Sequence, residues 1–101
     1  MKIAVNKCYG GFSLTKPVFD ELGIKWDGYG YLGNKDLGIK SDDYNAYRQD
    51  PRLIAAIEKI GEENSSGAMA KVRIVEIPDG IEWEMDEYDG VESVHEKHRS
   101  W

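Results

Sequence analysis

The spacing of apolar positions changes along the chain, and each change marks an element. The opening MKIAVN is a short β-rich run and predicts a strand. Paired glycines in KCYGGF break it. A short helix is predicted from Lys16 to Leu22, with Thr15 as its cap, Pro17 in its first turn and Gly23 as its stop. Asp50-Pro51 predicts a second helix start, and Leu53, Ile54, Ile57 and Ile60 then fall on one helical face. ENSSG ends that helix.

Beyond it, AKVRIVEI and IEWEMDEY read as two strands around the turn PDG. In the second, Ile81, Trp83 and Met85 alternate with Glu82, Glu84 and Asp86, which predicts one buried and one wet face. After Asp89-Gly90, Val91, Val94, His98 and Trp101 stand three or four apart and predict a final helical segment. The stretch from Gly23 to Gln49 has no sustained period and reads as loop, with a strand near Tyr29 to Leu32. The expectation is a single α+β domain over residues 1–101: a short sheet, made of the N-terminal strand and a C-terminal β-hairpin, packed by two or three helices.

Composition narrows the class. The chain has 101 residues, 41% of them hydrophobic and 11% aromatic, which suits one globular domain and not a disordered one. No apolar run is long enough for a membrane span, and the opening is too short and polar for a signal peptide. One cysteine, Cys8, excludes an internal disulfide and fits a reducing cytosol. The net charge of −6 argues against direct DNA binding or an anionic membrane. That charge is uneven. No Lys or Arg stands between Ile74 and Val94, where Glu76, Asp79, Glu82, Glu84, Asp86, Glu87, Asp89 and Glu92 all fall. Such a ribbon is either a solvated sheet face or an acidic surface that covers a partner's basic groove.

The candidate chemistry lies at three places. In NKCYGGFSLT, a strand running into glycines and a helix start resembles an anion cradle, with Gly10 and Gly11 allowing close approach and Lys7 adding charge. The alternative there is a tight turn that needs glycine backbone angles. Cys8 as a nucleophile, with His95 or His98 as base, is weaker, because nothing in the spacing demands it. In YRQDPRL, Arg48 and Arg52 oppose the dipole of the helix that Asp50 caps, so an anion or an acidic strand should compensate them. The ending HEKHRSW carries His95, His98, Arg99 and Trp101. With Glu92 and Glu96 the two histidines suggest zinc or iron, but HEKH is one residue short of the HExxH spacing, so no metal and no cofactor is expected. The alternative is a helix end packed on the sheet under a tryptophan lid.

The opening MKIAVNKCYGGFSLT, the middle DPRLIAAIEKIGEENSSG and the close KVRIVEIPDGIEWEMDEYDGVESVHEKHRSW resemble a family of small phage and prophage proteins. The resemblance covers both ends and the central helix. It implies a phage origin and expression in a host bacterial cytoplasm, and small accessory phage proteins of this size are often counter-defence factors; it carries no established activity. The favoured expectation is a non-catalytic protein that sequesters a nucleotide-derived immune signal, a cyclic dinucleotide or an ADP-ribose derivative. Lys7, Gly10, Gly11, Arg48 and Arg99 would hold phosphate, Tyr9, Phe12 and Trp101 would stack on a base, and Asn6, Asp89 and His98 would give polar recognition. Homo-oligomerisation is expected with it, because a dimer concentrates a basic pocket. A second expectation is an acidic inhibitor of a bacterial defence protein, and a third is a small nucleotide phosphodiesterase with a histidine as general acid–base.

Overall fold

A computed structural model describes residues 1–96. It is an α+β domain: strands β1 (Lys2–Asn6), β2 (Val72–Glu76), β3 (Trp83–Tyr88) and β4 (Val91–Glu96), with helices α1 (Lys16–Leu22), α2 (Pro51–Ile60) and α3 (Glu62–Ser65). Short 3₁₀ turns at Asn34–Leu37 and Ala46–Gln49 lie between α1 and α2.

Local signals place the two longer helices where the sequence predicts them. Pro17 stands in the first turn of α1, and Gly23 closes it at φ 71°, in the left-handed conformation that glycine adopts without penalty. Thr15 occupies the cap position, but its hydroxyl donates to the Asn64 carbonyl instead of capping the helix. Asp50 does cap α2, accepting from the Arg52 amide, and Pro51 begins the helix. Leu53, Ile54 and Ile57 are buried on the face of α2 that meets the core, with Ile60 partly buried beside them.

The strands pair differently from the expectation. Instead of one sheet there are two, each two-stranded and antiparallel: β1 with β2, and β3 with β4. The segment around Pro78-Asp79-Gly80 is therefore a link between sheets, not a hairpin turn. The hairpin turn is Asp89-Gly90, two residues with φ 50° and 91° between the paired Tyr88 and Val91. A two-residue loop with positive φ at both positions twists as its strands do, and Asp-Gly is a favoured sequence for it. The predicted final helix is thus strand β4 over its described part.

β1 is the centre of the molecule. Ile3, Ala4, Val5 and Asn6 are all fully buried, and the core around the strand takes Leu14, Val18, Phe19, Leu53, Ile57 and Val72. The Gly23 to Gln49 segment has no strand near Tyr29 to Leu32. It is ordered by side chains bonding to backbone: Asp27 Oδ1 accepts from the Tyr29 and Gly30 amides, and Asp27 Oδ2 from Tyr31. Gly30 (φ 92°) passes so close to Leu14 that an added Cβ would lie 2.1 Å from its carbonyl oxygen. The Asn34 side chain bridges the Asp43 carbonyl and the Tyr47 amide, and Arg52 reaches back to the Leu37 carbonyl.

The amides of Gly30, first, and Tyr29 hold the Asp27 carboxyl below its ordinary value of 3.8, with Tyr31 contributing less. A carboxylate with a depressed folded pKa adds stability that is complete above the unfolded pKa and is lost as pH falls through the folded one. Asp27→Asn should therefore narrow the loss of stability between about pH 5 and about pH 2 relative to wild type. Urea midpoints of both proteins across that range check it; parallel curves would show that the loop does not depend on the ionised carboxylate.

Candidate functional site

The residues read as an anion cradle do surround an anion, but that anion belongs to the chain. β1 bonds to β2 through its odd-numbered residues, as the flanking bonds from the Lys7 amide to Lys71 and from the Ile77 amide to Met1 show, so Ala4 and Asn6 turn their backbone groups to the free edge. Glu92 of β4 and Arg48 of the second 3₁₀ turn meet there. Arg48 Nη1 donates to Glu92 Oε1 at 2.6 Å and Nη2 to Oε2 at 2.9 Å, a two-pronged pair. The same Nη1 donates to the Ala4 carbonyl at 3.2 Å, and Glu92 Oε1 accepts the Asn6 amide at 2.8 Å. Arg48 and Glu92 are 5% and 7% exposed, so this is an interior ion pair.

Its surroundings complete it. The Phe12 ring lies 3.7 Å from the guanidinium carbon of Arg48, a cation–π contact, and Tyr47 lies edge-on to Phe12. Lys7 Nζ donates to the Glu92 carbonyl at 2.6 Å. The Asn6 amide group donates to the Cys8 and Gly90 carbonyls, and its oxygen accepts from the Lys71 amide. Burial works against the charge on Arg48, but the hydrogen bond and charge of Glu92, aided by Tyr47, outweigh it and raise the guanidinium above its ordinary range.

The donors expected to hold phosphate at Arg48 and Lys7 already serve Glu92 and the β1 edge, and the Asn6 side chain, expected to give polar recognition, already serves the Cys8 and Gly90 carbonyls. Phe12 stacks on Arg48 and is buried, so it offers no open face to a base. Gly10 is required by packing: a Cβ there would lie 1.7 Å from the Met69 carbonyl oxygen, so its bare backbone faces the chain itself. Gly90 similarly abuts Gly10. Gly11 has open space beside it, Tyr9 is exposed on the same loop, and Asp89 sits in the hairpin turn. His98, Arg99 and Trp101 lie outside the described residues. A surface groove of about 740 Å³ between Met1, Ile39, Pro51 and Ile54 is lined by none of the predicted ligand residues that are described.

The acidic ribbon is placed on the hairpin. Trp83, Met85 and Val94 are half-buried on the face toward the body, where Trp83 Nε1 donates to Gln49 and Met85 sulfur accepts from Arg48. The other face carries Glu84, Asp86 and His95, with His95 Nε2 3.1 Å from Glu84 and 3.4 Å from Asp86. Glu87 and Glu92 stand directly opposite each other, a costly pairing of like charges relieved because Glu87 accepts the Gly90 amide and Glu92 is held by Arg48. Among the described residues no group of three His, Cys, Asp or Glu side chains could hold a metal ion, and no helix is long and apolar enough to cross a membrane.

The expected alternative for Arg48, an ion pair with the acidic strand, is the arrangement found, but its partner Glu92 is buried and not on a surface. The usable signal is Glu92 two residues after the Asp89-Gly90 hairpin turn, a position beside the strand start that a buried carboxylate can share with a β1 edge.

Removing one partner of a buried pair leaves the other charged and desolvated, at a cost of about 3 to 5 kcal/mol. Arg48→Met should lose about that much stability, and Arg48→Met with Glu92→Leu should lose clearly less than the two single losses added together. Chemical denaturation of the four proteins measures the coupling; simple additivity would show that the pair does not act as a unit.

Comparison with protein-family models, with curated proteins and with solved structures finds no match for this chain.

Proposed function

We propose that this is a non-catalytic binding protein that docks its acidic β3–β4 hairpin on a cationic, nucleic-acid-binding surface of another protein. The observation that carries the reading is the hairpin's run of exposed acids. Glu82, Glu84, Asp86, Glu87, Asp89 and Glu96 are all exposed, and no Lys or Arg stands between Ile74 and Glu96. Side chains on one face of a strand recur about every 7 Å. Acids at that interval form a ladder of negative charge comparable in spacing to a nucleic-acid backbone. Exposed Tyr88, beside the turn, adds an aromatic group of the kind enriched in protein interfaces.

On this reading the protein is phage-encoded and works in the cytoplasm of a bacterial host, against a defence protein that must hold DNA or RNA. Charge complementarity would then speed encounter as well as fix the docked register. Sequestration of a nucleotide signal at the loop after β1 has less support, because Asn6, Lys7 and Arg48 already have acceptors. A phosphodiesterase built on His95 would need that exposed ring freed from Glu84 and Asp86.

The test uses bacteria that carry defined DNA-targeting nucleases. Wild-type protein should restore phage plating against one of them and displace DNA from that nuclease in a mobility-shift assay, less effectively as salt rises. Glu82→Gln, Glu84→Gln and Asp86→Asn together should weaken displacement at least about tenfold. Full activity of this triple variant would overturn the reading.

A further inference from the structure

The Gly23 to Gln49 segment carries a second surface unrelated to the acidic hairpin. The molecule spends many bonds to hold this segment still, yet it leaves Tyr29 75% and Tyr31 64% exposed at its bend. Their rings are 6.4 Å apart between centroids and within 17° of parallel. Exposed aromatic side chains on a preorganised loop lose little entropy when they bind, which is why such side chains dominate recognition surfaces.

Beside Tyr31 lies a cleft of about 400 Å³, floored by Phe19 and edged by Lys25 and Lys35. Its size falls in the range of small-molecule sites. Lys25 is positioned by the end of α1, where the Ile24 amide bonds back to Phe19, and Lys35 by the 3₁₀ turn Asn34–Leu37. Two carboxylates, Asp27 and Asp36, also line the cleft. They are already provided with donors: Asp27 takes three backbone amides and Asp36 takes that of Gly33. The ammonium groups of Lys25 and Lys35 have no ion-pair or hydrogen-bond partner among the described residues. What the cleft lacks is therefore acceptors, and what it offers beside them is a pair of aromatic faces.

We propose that this cleft binds a nucleoside phosphate, with the base against the Tyr29–Tyr31 pair and the phosphate between Lys25 and Lys35. Stacking on an aromatic side chain tolerates any base, while two ammonium groups select for negative charge. The site goes beyond the docking function proposed above and does not depend on it, since it uses no residue of the hairpin.

The experiment is a titration of ¹⁵N-labelled protein with adenosine 5′-monophosphate, with adenosine alone and with inorganic phosphate alone, followed by amide NMR. The nucleotide should shift the amides of Lys25, Tyr29, Gly30, Tyr31 and Lys35 with a Kd of about 100 μM or tighter. Adenosine and phosphate should each bind at least about tenfold more weakly. Tyr31→Ala, and separately Lys25→Gln with Lys35→Gln, should each raise the nucleotide Kd at least about tenfold. All three side chains are exposed, so the variants should keep the wild-type spectrum elsewhere, and that spectrum verifies their folding. Absence of shifts up to about 10 mM nucleotide would overturn the proposal. So would shifts confined to another surface, or phosphate alone binding as tightly as the nucleotide, which would mark an adventitious anion only.

Discussion

The Arg48–Glu92 pair is the interaction on which the arrangement of the molecule depends. β1 is buried on both faces but bonded to a strand on one edge only. Its other edge presents the Ala4 carbonyl and the Asn6 amide inside the protein, where an unmet backbone group is costly. A third strand would satisfy them; here two side chains do so, Arg48 giving to Ala4 and Glu92 taking from Asn6. Because Glu92 comes from β4, the same contact also docks the hairpin. A two-stranded sheet is marginal in isolation, so this docking is what gives β3–β4 a fixed place. The close approach at Gly90 follows from it, since a Cβ there would lie 2.4 Å from the Gly10 carbonyl oxygen and push the hairpin turn away from the loop after β1.

How much of this was legible in the sequence depends on how local each determinant is. α1 and α2 could be read because Pro17 and Gly23, and Asp50 and Pro51, act on their own neighbours. The strand β1 and the strands around Val72 and Trp83 could be read from apolar content. Their pairing could not, because two turn signals, Pro-Asp-Gly and Asp-Gly, competed, and the choice between them rests on contacts of β1 with β2. β4 was misread for a related reason. Glu92, its buried residue, is polar, so the alternation that marks a strand is broken at the one position that matters most.

The candidate site was legible in its membership and not in its purpose. Asn6, Lys7, Gly10, Phe12 and Arg48 are brought together near Gly90, as an anion cradle requires. Residue type alone cannot say whether the anion is a ligand or a carboxylate 44 residues further along the chain. The opposite failure occurred between Gly23 and Gln49. That stretch lacks periodicity because its order comes from Asp27, Asn34 and Arg52 bonding to backbone, a mechanism without a repeating pattern.

The distribution of charge follows from the same internal pairing. Arg48 is withdrawn into the interior, Lys7 turns its ammonium to the Glu92 carbonyl, and Lys2, Lys16 and Lys59 pair with carboxylates on the helices. Glu92 receives Arg48 and is buried with it, whereas Glu82, Glu84, Asp86, Glu87 and Asp89 are exposed on a stretch without Lys or Arg. Repulsion among those acids discourages strand-to-strand association at the hairpin edges, so the hairpin remains open to a partner of opposite charge. The burial that stabilises the fold therefore also sets the polarity of its surface: Arg48 anchors the hairpin from the inside and adds no positive charge to its exposed face.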